Sequence, residues 1–150
     1  MNPIVKWKRA WDHKYVMPRH STCWSAGFDL MWVPPEDMQR SSARIFPGEI
    51  FLAKTGWCVQ APIGHVGLIR DRSGMAMLGL TTRAGVIDAD FRGEIGVILV
   101  NDSNEPVEFH RGDRVAQILF TPYWQDDGVM VYEFSDKTDR GENGFGSTGR

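Results

Sequence analysis

A chain of 150 residues is the size of one domain, and a domain of this length buries enough surface to stand without disulfide or metal staples. Its 42% hydrophobic and 24% charged residues exclude a disordered chain, and a net charge of −2 gives no electrostatic pull toward a nucleic-acid backbone. Two cysteines, Cys23 and Cys58, are too few for a disulfide framework or a zinc pattern, and no apolar run approaches the ~20 residues of a membrane span. Residues 1–11 lack the apolar stretch of a signal peptide, so a cytoplasmic chain with free thiols and no membrane partner is expected.

Sixteen glycines and eight prolines favour many short strands over a few long helices. Taken in chain order, strands are predicted at 4–8, 28–33, 43–46, 50–54, 65–70, 96–100, 115–120 and 128–134. Turn clusters separate them: Pro34-Pro35, Phe46-Pro47-Gly48, Pro62-Ile63-Gly64, residues 101–106 and Arg111-Gly112-Asp113. Short strands at this spacing read as a sandwich, barrel or jelly roll. One segment, residues 73–78, has the pattern of a single short helix with Ser73 as its N-cap. The apolar run 95–100 reads as a strand buried on both faces, covered by other strands or another subunit. Trp7, Trp11, Trp24, Trp32, Trp57 and Trp124 are read as core or interface residues. Residues 137–150, with four glycines and little apolar content, read as a mobile tail.

Three clusters carry chemistry. The tail holds Gly144-Phe145-Gly146-Ser147-Thr148-Gly149, a literal GxGxxG, but a dinucleotide fingerprint follows a strand and opens a helix, and here the sequence stops at Arg150. What remains is a segment whose backbone N–H groups, Ser147 and Thr148 hydroxyls and Arg140 charge suit phosphate oxygens, with Phe145 able to lie over a nucleobase. Arg72-Ser73-Gly74, at the start of the predicted helix, reads either as a second phosphate seat or as an ordinary capped turn. The third cluster, residues 85–93 (GVIDADFRG), leads from apolar residues into Asp88 and Asp90, which share a face if the backbone is extended. Paired acids of this kind serve as a general base or as metal ligands, or simply solvate a hairpin tip. His13, His20, His65 and His110 form no zinc motif, and there is neither a Walker phosphate loop nor a GxSxG elbow.

The order of these clusters identifies a family. Ala26-Gly27-Phe28-Asp29-Leu30, Arg72-Ser73-Gly74-Met75-Ala76, residues 85–93, residues 111–117 (RGDRVAQ) and residues 140–149 (RGENGFGSTG) together resemble the five-motif set of the trimeric dUTP pyrophosphatases, the dUTPases. The resemblance implies an all-β, distorted jelly-roll domain of the β-clip kind, with one short helix and a flexible C-terminal arm, assembled as a homotrimer. It divides the chain into a β domain over 1–136 and an arm over 137–150 that closes an active site on a neighbouring subunit. The implied reaction is hydrolysis of dUTP to dUMP and pyrophosphate with Mg²⁺ held mainly by the triphosphate and water, limiting uracil in DNA and supplying dUMP for thymidylate synthesis.

By the same resemblance, Asp88 is the catalytic acid that deprotonates the attacking water. Phe91 packs under deoxyribose, and the backbone of residues 82–87, including Gly85, Val86 and Ile87, reads uracil. Arg72, Ser73, Gly74 and Gln117 bind phosphate, and Asp29 holds the metal through water. In the arm, Arg140 meets the terminal phosphate, Phe145 stacks on uracil, and Gly146, Ser147 and Thr148 wrap the phosphates. Asp113 and Arg114 are expected to form a structural or inter-subunit ion-pair cluster rather than a catalytic one. Phe91 replaces the usual tyrosine, Asn143 stands where glycine is common, and Trp24-Ser25 is a bulky approach to the first motif. A dCTP deaminase on the same fold would need a glutamate three residues before Asn101, where this chain has Ile98. A non-catalytic signalling module is the other rival, with the Trp-rich first 32 residues as its surface; no nucleic-acid partner is expected.

Overall fold

The computed structural model describes residues 4–35, 38, 40–135 and 137–138. Ten strands and one short helix form in the order β1 (Lys6–Arg9), β2 (Phe28–Met31), β3 (Ser42–Ile45), β4 (Ile50–Gln60), β5 (His65–Asp71), α1 (Ser73–Met77), β6 (Leu80–Arg83), β7 (Val86–Ile87), β8 (Glu94–Asn101), β9 (Val107–His110) and β10 (Arg114–Pro122). One sheet has the order β1-β4-β8-β6, a second β2-β10-β5-β7, and β3 pairs with β9 alone; every ladder is antiparallel. The all-β architecture expected from the sequence is therefore what the chain adopts.

Alternation drives it. In β9 Val107 and Phe109 are buried while Glu108 and His110 face solvent. In β8 Ile95, Val97 and Leu99 point inward, while Gly96 and Ile98 are half-buried. Ile95, Val97, Leu99, Val107 and Phe109 join Leu30, Ile45, Ala53, Ile69, Leu80, Val115 and Ile118 in one core drawn from all three sheets. Trp32, Phe51 and Phe109 add three edge-to-face contacts with centroids 5.1–5.9 Å apart. Of the tryptophans, Trp32 and Trp57 are core residues as expected, whereas Trp24 and Trp124 are exposed.

Several elements differ from the sequence reading. β4 continues past Lys54 to Gln60 through a bulge at Gly56, whose φ of 75° suits glycine and breaks the alternation there. The bulge is satisfied from both sides: Glu94 accepts from the Gly56 N–H at 3.0 Å and from Lys54 Nζ at 3.1 Å, and Thr55 Oγ1 donates to the Ile95 carbonyl at 2.7 Å. β6, β7 and β9 are additional strands. Residues 128–134 form no strand and lie exposed. Ser73 is not a cap: Arg72 holds the N-cap position in extended conformation with no side-chain cap, and Ser73 is already helical. Asp88 is followed by a turn rather than an extended run, with the Phe91 N–H donating to the Asp88 carbonyl at 3.1 Å.

Candidate functional site

The singled-out residues that are described gather at the two ends of β5. At its C-terminal end the centre is Asp29, on β2 directly opposite Gln117 of β10. Asp29 Oδ1 accepts from Arg72 Nε at 2.9 Å; its Oδ2 accepts from the Ser21 hydroxyl at 2.6 Å and from Arg114 Nη1 at 3.1 Å. Arg72 Nη1 also donates to the Arg114 carbonyl at 3.1 Å, so the two arginines and the acid lock one another. Burial raises the Asp29 pKa, but the Ser21 hydroxyl and the charges of Arg72 and Arg114 outweigh it, and the net effect lowers it below the ordinary carboxylate value. Beside this cluster a groove of about 590 Å³ is lined by Met17, Arg19, His20, Ser21, Met31 and Arg114 as well as Asp29.

Gln117 and the first motif meet here too. A Cβ on Gly27 would lie 2.5 Å from Gln117 Oε1, so glycine is what lets the glutamine lie back and donate from Nε2 to the Asp71 carbonyl at 2.9 Å. Ser73 and Gly74 are exposed in the first turn of α1, whose first N–H groups have no intrahelical acceptor. Arg72 spends two of the five guanidinium donors on Asp29 and Arg114, leaving donors for a ligand.

At the other end of β5 lies the third motif. Gly85, with φ of 96°, turns the chain onto β5 and its carbonyl accepts from the Ile69 N–H at 2.8 Å. Val86 and Ile87 then pair with Leu68 and Gly67. Asp88 comes next, exposed, and its carboxylate makes no hydrogen bond or ion pair among the described residues. Arg92 closes the turn by donating to the Ala89 and Phe91 carbonyls, each at 2.8 Å. Phe91 is partly exposed, its ring held over Gly93, where a Cβ would come within 2.7 Å. Asp88, Asp90, Val66, Val86, Ala89, Tyr123 and Gln125 line a groove of about 620 Å³.

The two clusters are separate within one chain. Asp88 follows the Ile87–Gly67 pair and so stands level with Val66, six residues from Arg72; at strand rise this is roughly 20 Å. Asp29, Arg72, Gln117, Ser73 and Gly74 thus form one group, and Gly85, Val86, Ile87, Asp88 and Phe91 another. Arg114 joins the first group as Asp29's partner; it does not pair with Asp113, which instead accepts from the His110 N–H at 2.7 Å. The tail residues Arg140, Phe145, Gly146, Ser147 and Thr148 lie outside the described residues.

Fold and geometry define an all-β domain with an arginine–carboxylate cluster at one end of a strand and an unpaired carboxylate at the other. A family model described as dUTPase matches residues 13–149. The deoxyuridine 5'-triphosphate nucleotidohydrolase of Anaeromyxobacter sp. (strain Fw109-5) is 42% identical over 137 residues, covering 89% of this chain and 88% of that protein. The protein of the same name from Beijerinckia indica is 43% identical over 136 residues, covering 89% and 82%. Among solved structures, a variant of the Staphylococcus bacteriophage 80alpha dUTPase with dUpNHpp superposes with a TM-score of 0.84 over all of both chains, at 26% identity. The chain belongs to the dUTPase family of enzymes.

Proposed function

We propose that this chain hydrolyses dUTP to dUMP and pyrophosphate in a Mg²⁺-assisted reaction, as a cytoplasmic homotrimer that limits uracil in DNA and supplies dUMP. The observation that carries the reading is the free Asp88 carboxylate beside Phe91 at the end of β7, in a chain whose relatives are named for dUTP. An exposed, unpaired carboxylate is able to accept a proton from water. The water oxygen then forms its bond to the α-phosphorus as the bond from that phosphorus to the pyrophosphate oxygen breaks. Phe91 supplies an apolar floor for deoxyribose. The Gly85-Val86-Ile87 backbone reads the uracil edge, while Arg72, the exposed Ser73-Gly74 turn and Gln117 hold phosphate oxygens, stabilising charge as it develops.

Metal fits this arrangement in one form. Both Asp29 oxygens are already engaged by Arg72, Arg114 and Ser21, and no group of three His, Cys, Asp or Glu among the described residues could cage an ion. The residues therefore suit Mg²⁺ that arrives on the triphosphate and meets Asp29 through water; when bound, the ion neutralises triphosphate charge.

The trimer is supported by the roughly 20 Å between Asp88 and Arg72: one substrate takes Asp88 from one chain and Arg72 from another. Exposed Trp124, Val129, Met130, Tyr132 and Phe134, and the outward Ile50 and Leu52 of β4, form apolar surface suited to contact with other copies. Residues 137–150 are proposed to close over the site as an arm, with Arg140, Phe145, Gly146, Ser147 and Thr148 on substrate. The test is pyrophosphate release from dUTP, with dCTP, dTTP and UTP in parallel, for wild type and Asp88→Asn. Selective cleavage of dUTP that collapses in the variant is expected. Binding of dUTP without turnover by the wild type would make the chain a nucleotide-binding module.

A further inference from the structure

We propose that Asp71 is a positioning residue that registers the segment 82–88, and so Asp88, against β5. The inference rests on the dUTPase reading and deepens it. Asp71 is the last residue of β5, immediately before Arg72, and it touches two other elements. Its Oδ1 accepts from both the Thr82 N–H at 2.6 Å and the Thr82 hydroxyl at 2.7 Å, and its main-chain carbonyl accepts from Gln117 Nε2 at 2.9 Å.

Thr82 matters because the chain changes sheets just beyond it. It lies on β6, in the sheet of β8, whereas β7 four residues later lies in the other sheet, against β5. The crossing between the sheets is made at Ala84 and Gly85, with φ of 58° and 96°. Ala84 is a non-glycine residue in left-handed conformation, a strained state that persists only where its surroundings over-determine it. β7 itself is two residues long, too short to fix its own register, and a slip of one residue would reverse the faces of Val86 and Ile87 and carry Asp88 off its groove. The Asp71 carboxylate pins the near side of this crossing, and the Gly85–Ile69 hydrogen bond at 2.8 Å pins the far side.

The arrangement distinguishes alanine from asparagine. Both Thr82 donors go to one oxygen, Oδ1, which asparagine retains as an amide carbonyl and alanine lacks. Asp71→Ala is expected to lower kcat for dUTP by about 10- to 100-fold, the scale of a displaced reacting group, and to weaken the preference for dUTP over dCTP. Asp71→Asn restores both to within about threefold of wild type. Thr82→Val, which loses only the hydroxyl bond, falls between them and serves if the alanine variant fails to fold. Amide hydrogen exchange, without nucleotide, is expected to speed up over 82–88 in Asp71→Ala while β8 stays protected. Unchanged exchange over 82–88, or a folded alanine variant with wild-type kcat and base preference, overturns the proposal. A wild type inert toward dUTP overturns the dUTPase reading instead, and the exchange measurement then decides on Asp71 alone.

Discussion

The two ends of β5 are built on opposite principles. At one end Asp29 is nearly buried and every oxygen has a partner, with Arg72 and Arg114 each held twice or tied to it. At the other, Asp88 stands exposed on a tight turn with an unengaged carboxylate. The first end is preorganised: its charges are fixed in place by one another, so on the proposed reading phosphate binds with little reordering. The second leaves the carboxylate of the proposed base unengaged, and the backbone beneath it is tied down through Gly85, Arg92 and the ladder to β5. Charge pairing is concentrated at the end proposed to hold phosphate, and the proposed base stands where little is gained for the fold.

The largest effect expected from this contrast is on turnover. Asp88→Asn should lower kcat by about 10²–10⁴ while dUTP affinity and the melting temperature stay near wild type, read by steady-state kinetics, calorimetry and thermal melts. If the two ends act on one substrate only across chains, Asp88→Asn and Arg72→Ala, each inactive alone, should complement when co-refolded. About one site in four would then be intact, and no recovery at all would return both residues to a single chain.

Next in size, Asp29→Ala should destabilise the fold by about 1–3 kcal/mol in chemical denaturation, because it strands two guanidinium groups, partly discounted for their exposure. An Asp29→Ala chain as stable as Asp88→Asn would erase the contrast. A finer test uses pH. The folded pKa of Asp29 is lowered, so its contribution is fully present above the ordinary carboxylate value and is lost as pH falls through the folded one. The stability gap between wild type and Asp29→Asn should therefore hold from neutrality down to about pH 4 and close below it. Smallest of all, Arg44→Ala removes an exposed pair with Glu108 at 2.9 Å, remote from both ends, and should change neither melting temperature nor activity.

Much of this was legible in the residues. Apolar runs located most strands, and the order of five short motifs picked out the family and the residues proposed for its site. Gly56 hid the second half of β4, since a bulge interrupts the period of two that marks a strand. Residues 128–134 have a strand's apolar content but find no ladder in their own chain, and composition alone carries no information about which chain a strand joins. The pairing of Arg114 with Asp29 spans 85 positions, so no local pattern announces it. Asp71 escaped for a different reason. An acid beside an arginine proposed to bind phosphate reads as a stray surface charge until Thr82 is seen against it.

The edge strand β1 has a consequence for how copies meet. It presents Lys6, Lys8 and Arg9 on the open side of its sheet, and the opposite edge, β6, carries Arg83 tied to Asp102. A second chain adding its own β1 alongside would bring Lys6, Lys8 and Arg9 against the same basic residues, and like charges facing each other across a ladder are unfavourable. Growth by strand addition, the route to open-ended fibres, is therefore closed at that edge. The contact between copies proposed above uses apolar side chains instead, Ile50 and Leu52 of β4 with Trp124, Val129, Met130, Tyr132 and Phe134.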